Sequence, residues 1–236
     1  MRARVGPGIL VATLALSGCR TAVNYPAAGG PRYRRAAPAG EARAAPVQTL
    51  RIVSFNIEMG LHVDGAIRLL QSHQQTRSAD LILLQEMDDA GTRRVAEAFD
   101  MGYVYYPADL SLTTHRDFGN AVLSRWPIVE DAKIALPHLG VFGQLQRIAT
   151  AATLDVGGTP VRVYSVHLGT LINVTAGARR DQLRTVLADA RRYPHVVIAG
   201  DLNSHGVGHE ARRQGSSGPR KTVRAPPPSA AGTTSS

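Results

Sequence analysis

One cysteine in 236 residues, Cys19, excludes an internal disulfide. The N-terminal apolar run, Gly8 to Ala15, is too short to cross a bilayer as a mature helix. No internal repeat is present, which excludes a solenoid or an array. Acidic side chains are scarce at both ends. Residues 1–49 hold seven arginines and one glutamate, and residues 205–236 hold five lysines or arginines and one glutamate. The stretch between them, 50–204, carries 15 basic and 16 acidic side chains. The formal net charge of +9 therefore sits in the tails, and the sequence offers no basic face for duplex DNA on its folded part. What is present is an ordinary apolar content, enough for one large domain or two small ones.

The N-terminus reads as an address. Arg2 and Arg4 precede the apolar run, which closes on Leu16-Ser-Gly-Cys19. This ending resembles the bacterial lipobox, which implies a signal peptide over 1–18, lipid attachment at Cys19 and an extracytoplasmic place in the cell envelope. The alternative is a chance cysteine at the end of a secretory signal. Residues 19–48 are rich in Ala, Pro, Gly and Arg, and their composition predicts a flexible linker.

Folded structure is expected over 49–210. Strands are predicted at Leu50–Asn56, Asp80–Glu86, Gly102–Tyr106, Phe118–Ser124, Ile128–Ile134, Arg147–Val156, Val161–Leu168 and Val196–Gly200. Helices are predicted at Asp64–Ser78, Thr92–Phe99 and Ala176–Arg192. Their irregular alternation fits an α/β layered fold with mixed sheets.

Polar residues gather at the tips of these apolar strands. Asn56 ends the first and Glu86 the second. Asn120 follows Gly119, His167 lies near the end of the seventh, and Asp201 and Asn203 leave the last. In Val196-Val-Ile-Ala-Gly-Asp-Leu-Asn-Ser204, Asp201 and Asn203 alternate across Leu202 and face one side, and Gly200 allows a close backbone approach. An Asx turn explains the same pair without any chemistry. Oxygen donors with a histidine suit a hard cation and proton transfer.

The segments Ser54-Phe-Asn56, Leu84-Gln-Glu86, Gly119-Asn-Ala-Val-Leu-Ser-Arg125, Val166-His-Leu168 and Gly200-Asp-Leu-Asn203 resemble, in order and spacing, the endonuclease/exonuclease/phosphatase (DNase I-like) family. The resemblance implies a four-layer α/β/β/α sandwich with two mixed sheets. It also implies hydrolysis of a phosphoester with Mg²⁺, or Mn²⁺ or Ca²⁺ in its place. By position, Glu86 and Asn56 match metal ligands, His167, Asp201 and Asn203 match catalytic residues, and Asn120 and Arg147 match phosphate contacts. A surface arginine is the alternative for Arg147. The substrate it implies is a nucleic acid or a phospholipid head group; lipidated Cys19 would be the contact with the membrane, and no obligate protein partner is indicated.

Other histidines carry no assignment. His62, His73, His115, His138 and His195 fall in loops or at helix flanks, and glycines separate His205 from His209. The resemblance also implies a late acid and a terminal histidine, whereas residues 211–236 form a low-complexity tail and 215–236 contain neither acid nor histidine. The expectation is a truncated or frame-shifted C-terminus that lacks the final strands and impairs turnover. The alternative functions are a catalytically dead binding lipoprotein and a non-functional fragment.

Overall fold

The computed structural model describes residues 23–38 and 49–204. Among these residues, ten strands form two sheets. The first sheet has six strands: β1 (Val23–Asn24), β2 (Tyr33–Arg35), β3 (Ile52–Asn56), β4 (Leu81–Met87), β5 (Gly102–Leu110) and β6 (Asp117–Ser124). Its order is β1-β5-β6-β4-β3, with β2 also on β5. The second has four strands, β7 (Ile128–Ala135), β8 (Ile148–Val156), β9 (Thr159–His167) and β10 (Val196–Asp201), in the order β10-β9-β8-β7. Only β3 with β4 and β10 with β9 run parallel; every other pair is antiparallel.

Why the strands read as unbroken apolar runs follows from the layers. In β4, Leu81 and Leu83 face the second sheet, where they join Val122, Trp126, Ile148, Leu154 and Val163. Ile82 and Leu84 face the opposite way, into α1 (Val63–Ser72) and α3 (Asp89–Ala98), packing with Val63, Leu70 and Val95. A strand covered on both faces has no reason to alternate with polar residues. On the far side of the second sheet, α4 (Ala176–Ala190) buries Leu183, Val186 and Leu187 against Tyr164 and Val166. The layers are therefore helix, sheet, sheet, helix, the mixed α/β sandwich expected.

Local signals account for the boundaries. The Asp88 side chain caps α3 by accepting from the Gly91 N–H at 2.6 Å, and Thr175 caps α4 through Ala178. Gly157 and Gly158, both at positive φ, close the β8–β9 hairpin in two residues. The single helix expected over 64–78 is two: His73, extended at φ −109 and ψ 128, separates α1 from α2 (Gln74–Arg77).

The linker expected over 19–48 needs correction. Its residues 23–38 hold strands β1 and β2, both paired antiparallel to β5. Asn24 donates to the Gln144 carbonyl at 2.7 Å and accepts from the Gln146 N–H at 2.8 Å. Tyr25 O–H donates to Asp117 at 2.8 Å, and the Arg32 guanidinium grips both oxygens of buried Asp131. Lys133, itself buried, donates to the carbonyls of Tyr25 and Gly30. The segment needs no core of its own, because it completes an edge strand and is held by hydrogen bonds and ion pairs. The folded body thus begins at or before Val23. The signal peptide, Cys19, His205, His209 and the C-terminal tail lie outside the described residues.

Candidate active site

The edge strands β3 and β10 face one another across the two sheets, and their C-terminal ends open on one cleft. The first sheet brings Asn56 and Glu86. Parallel pairing sets Asn56 opposite Gln85, and the β4–β6 register breaks between Leu84 and Met87. Within that break Glu86 adopts φ 59, a left-handed conformation that is uncommon for an acid and costs about 1 kcal/mol or more. The bulge turns its carboxylate into the cleft, where Oε1 accepts from Asn56 Nδ2 at 3.0 Å and Oε2 from the Met59 N–H at 3.0 Å.

The second sheet brings His167 and Asp201 in register across β9 and β10. Asp201 Oδ2 accepts from Asn56 Nδ2 at 3.1 Å, while Oδ1 accepts from the Asn203 N–H at 3.0 Å. The Asx turn is therefore present and occupies Oδ1, which leaves Oδ2 turned toward Asn56. Asn203, at φ 46, donates its amide to the Leu168 carbonyl at 2.9 Å, which ties the strand end to β9. His167 Nε2 stands 3.8 Å from Glu86 Oε1 and 4.0 Å from Asp201 Oδ2. Its Nδ1 is buried without a partner. A bare lone pair is tolerated there better than an orphaned N–H, so the hydrogen belongs on Nε2, facing the cleft.

Two carboxylates near an imidazole favour its charged form, but complete burial outweighs them. Burial, helped by the positive charge of Arg147, holds His167 well below its ordinary pKa and keeps it neutral. Arg147 is buried, not a surface residue, and its guanidinium lies 5.2 Å from the Phe118 ring centroid. Phe118 in turn packs on His167, the ring centroids 5.9 Å apart. Burial lowers the pKa of Arg147, while the carboxylates of Asp109, Glu86 and Asp201 pull it back. Asp109 is buried nearby, and desolvation raises its pKa to about 7 against the pull of Arg147.

Asn56, Glu86, His167 and Asp201 thus converge, with Asn203 and Arg147 beside them. Asn120 requires correction as a phosphate contact. It is buried between the sheets, and its Nδ2 donates to the Ile148 carbonyl at 2.9 Å and the Ser165 carbonyl at 3.3 Å. Both amide hydrogens are committed, so the side chain clamps β6 to β8 and β9 and has no donor for a ligand. Gln85 and Ser165 extend this seam: Gln85 Nε2 donates to Ser165 Oγ at 2.9 Å, and Ser165 donates to the Leu84 carbonyl. Sequence reasoning missed this pair, as well as Phe118 and Asp109. The signal available was a polar residue inside each otherwise apolar strand.

The donor chemistry fits a hard divalent cation. An amide N–H₂ of Asn56 fills the gap between two carboxylate oxygens, a place that attracts positive charge. Glu86 and Asp201 supply oxygen there, whereas Asn56 Oδ1 accepts from the Glu58 N–H at 3.0 Å and would reach an ion only with the amide turned over. Among the described residues no three His, Cys, Asp or Glu side chains form a group that could hold a metal ion.

A family model described as the Endonuclease/Exonuclease/phosphatase family matches residues 53–235. The chain belongs to that family. Phosphoester hydrolysis is the class of chemistry that membership brings. Among solved structures, sphingomyelinase C from Streptomyces griseocarneus is 25% identical, with a TM-score of 0.54 over 73% of this chain and 72% of that one. D. rerio TDP2 complexed with single-strand DNA product is 23% identical, with a TM-score of 0.55, over 70% and 64%. The human nocturnin catalytic domain with bound sulfate is 18% identical, with a TM-score of 0.53, over 70% of each. The last two show the fold alone. No curated protein matches the sequence.

Proposed function

We propose that this chain hydrolyses a phosphodiester by attack of water, assisted by a divalent cation, with Mg²⁺ first and Mn²⁺ or Ca²⁺ as substitutes. The observation that carries the reading is Glu86. An acid held at positive φ in a strand bulge, beside Asp201 and across from a neutral buried histidine, is costly to build. Glu86 and, with its amide turned over, the oxygen of Asn56 would hold the cation, whose charge would stabilise the phosphate oxygens.

The protein's own groups divide the remaining work. Asp201, fixed through Oδ1 by the Asn203 N–H, presents Oδ2 to orient the water and take its proton. His167 offers an N–H from Nε2 to a phosphate oxygen or to the departing oxygen, and its neutrality makes it a donor without added charge. Asn203 steadies the water or the developing charge. Arg147 supplies a fixed positive charge that Phe118 keeps in place.

Hydrolysis of bis-p-nitrophenyl phosphate with and without Mg²⁺ tests this reading. Expected are turnover that disappears with chelation and losses of at least about 10²-fold in Glu86→Gln and Asp201→Asn. A cooperatively unfolding wild-type protein that stays inactive with Mg²⁺, Mn²⁺ and Ca²⁺ would overturn it.

A further inference from the structure

Of the ten large apolar side chains exposed among the described residues, seven crowd one end of the molecule. Leu139, Val141 and Phe142 lie on the loop 137–147, Leu171 and Ile172 on the loop 169–175, and Leu112 on the loop 111–116; Val23 of β1 adjoins them. Phe142, Leu171 and Ile172 are 65%, 70% and 76% exposed, too much for side chains left singly on a surface by chance.

The loops form one surface. The Val141 N–H donates to the Asn173 carbonyl at 3.0 Å and the Phe142 N–H to the Asn173 side chain at 3.3 Å, stitching the second loop to the first. A methyl group built on Gly143 would touch Leu112, which places the third loop alongside. Asn24 binds Gln144 and Gln146, which brings β1 to the same edge. Each loop also hangs from a residue of the cleft. The first ends on Arg147, the second follows His167 and Leu168, and the third leads into β6 and Phe118.

Charge and chain geometry both identify the occupant. Of the four arginines in residues 111–116, 137–147 and 169–180, Arg147 and Arg179 are buried, Arg116 is exposed but pairs with Asp88, and Arg180 is exposed; His115 is exposed and His138 pairs with Asp181. An apolar tip with the exposed cation of Arg180 beside it complements a phospholipid surface. The chain itself enters from the same side. Val23 is four residues from Cys19, a reach of about 14 Å at full extension. A lipid on Cys19 would hold Val23, and the rim beside it, within that reach of the membrane.

We propose that the three loops dock the cleft onto a lipid bilayer. The surface stands on its own observations. The consequence, that the substrate is the phosphodiester of a membrane phospholipid, rests on the hydrolase reading.

The test uses the full chain with Cys19→Ser, so that acylation plays no part, and vesicles of phosphatidylcholine containing phosphatidylglycerol. A fourfold variant, Val141→Ser, Phe142→Ser, Leu171→Ser and Ile172→Ser, is compared in the same background, with Ile172→Ser alone as a milder change. Expected is at least a tenfold fall in vesicle partitioning for the fourfold variant and a smaller fall for Ile172→Ser, with unchanged thermal unfolding and unchanged hydrolysis of bis-p-nitrophenyl phosphate. Equal partitioning of parent and variant overturns the proposal. So does self-association of the parent, without vesicle binding, that the substitutions abolish, since the rim would then be an interface between copies. If the parent binds vesicles through this rim but hydrolyses nothing, the docking surface holds and the hydrolase reading alone fails.

Discussion

The two sheets reach the cleft by opposite means. The first sheet aims Glu86 by breaking the register of β4 and holding an acid at φ 59. The second keeps its register intact through Asp201 and His167 and makes room instead by omitting a side chain at Gly200. A Cβ on Gly200 would lie 1.9 Å from the Val166 carbonyl oxygen, and the residue sits at φ 148. One wall therefore stores backbone strain in the functional residue itself. The other holds Asp201 and His167 on regularly paired strands that tolerate no extra atom, and takes its left-handed residue, Asn203, only past the strand end. The difference separates chemistry from folding: damage at the strained wall should fall on turnover, and damage at the packed wall on stability.

Gly200→Ala is the harshest way to break this contrast. Its methyl group meets main chain that cannot move without unpairing β9 from β10. Expected is a loss of about 4 kcal/mol or more in urea unfolding, along with activity. A stable Gly200→Ala protein would show that β10 is not held as described. Glu86→Gln sharpens the other half. The amide keeps the shape and an acceptor for the Met59 N–H, so stability should change by less than about 1 kcal/mol. Turnover should fall at least about 10²-fold. A destabilised Glu86→Gln protein would make the carboxylate structural and dissolve the distinction.

Between the walls lies Asp109, where the contrast takes a pH-dependent form. Desolvation holds its pKa at about 7 against an ordinary value of 3.8. Between those limits the folded protein keeps a proton that the unfolded chain has released. The stability from this group is complete below about 3.8, falls as pH rises towards 7 and is level beyond. Asp109→Asn should remove that slope and stabilise the protein above neutral pH by on the order of 1–2 kcal/mol, since Asn also gives up the attraction to Arg147. Urea midpoints of the two proteins should separate as pH rises from about 4 to 7 and then stay parallel. Curves parallel throughout would mean that Asp109 is ionised in the fold.

What was legible in the chain follows the same division. Apolar runs such as Leu81–Leu84 announce buried strands, and the polar residues that end them mark the cleft, because a strand covered on both faces tolerates polar groups only where it leaves the core. The bulge at Glu86 left no trace, since no glycine or asparagine marks its left-handed turn. Arg147 was legible as a guanidinium but not as a buried one, because burial is conferred by Phe118 from a distant strand. Asn120 was misread, since a polar residue beside a glycine looks alike whether it faces a ligand or bridges two sheets. The N-terminal arm was misread most fully. Composition reports whether a segment can bury a core, and 23–38 borrows its order from the backbone of β5 and the side chains of Asp117, Asp131 and Lys133.

That arm supplies the smallest effect and the most local one. Asn24 mimics a strand partner for the loop 137–147, accepting from the N–H of Gln146, the residue before Arg147, and donating to the Gln144 carbonyl. Asn24→Ala should cost about 1 kcal/mol globally, because the hydrogen bonds are only partly shielded from water. The larger consequence is positional. Without Asn24 the segment leading to Arg147 loses its tie to β1, although Arg147 keeps its place over Phe118 and the Gln146 amide still donates to the Leu136 carbonyl at 2.6 Å. Amide hydrogen exchange should therefore accelerate at residues 141–146 and stay unchanged in β9 and β10. Faster exchange spreading into β10 would mean that the arm braces both walls of the cleft; no change at 141–146 would mean that it braces neither.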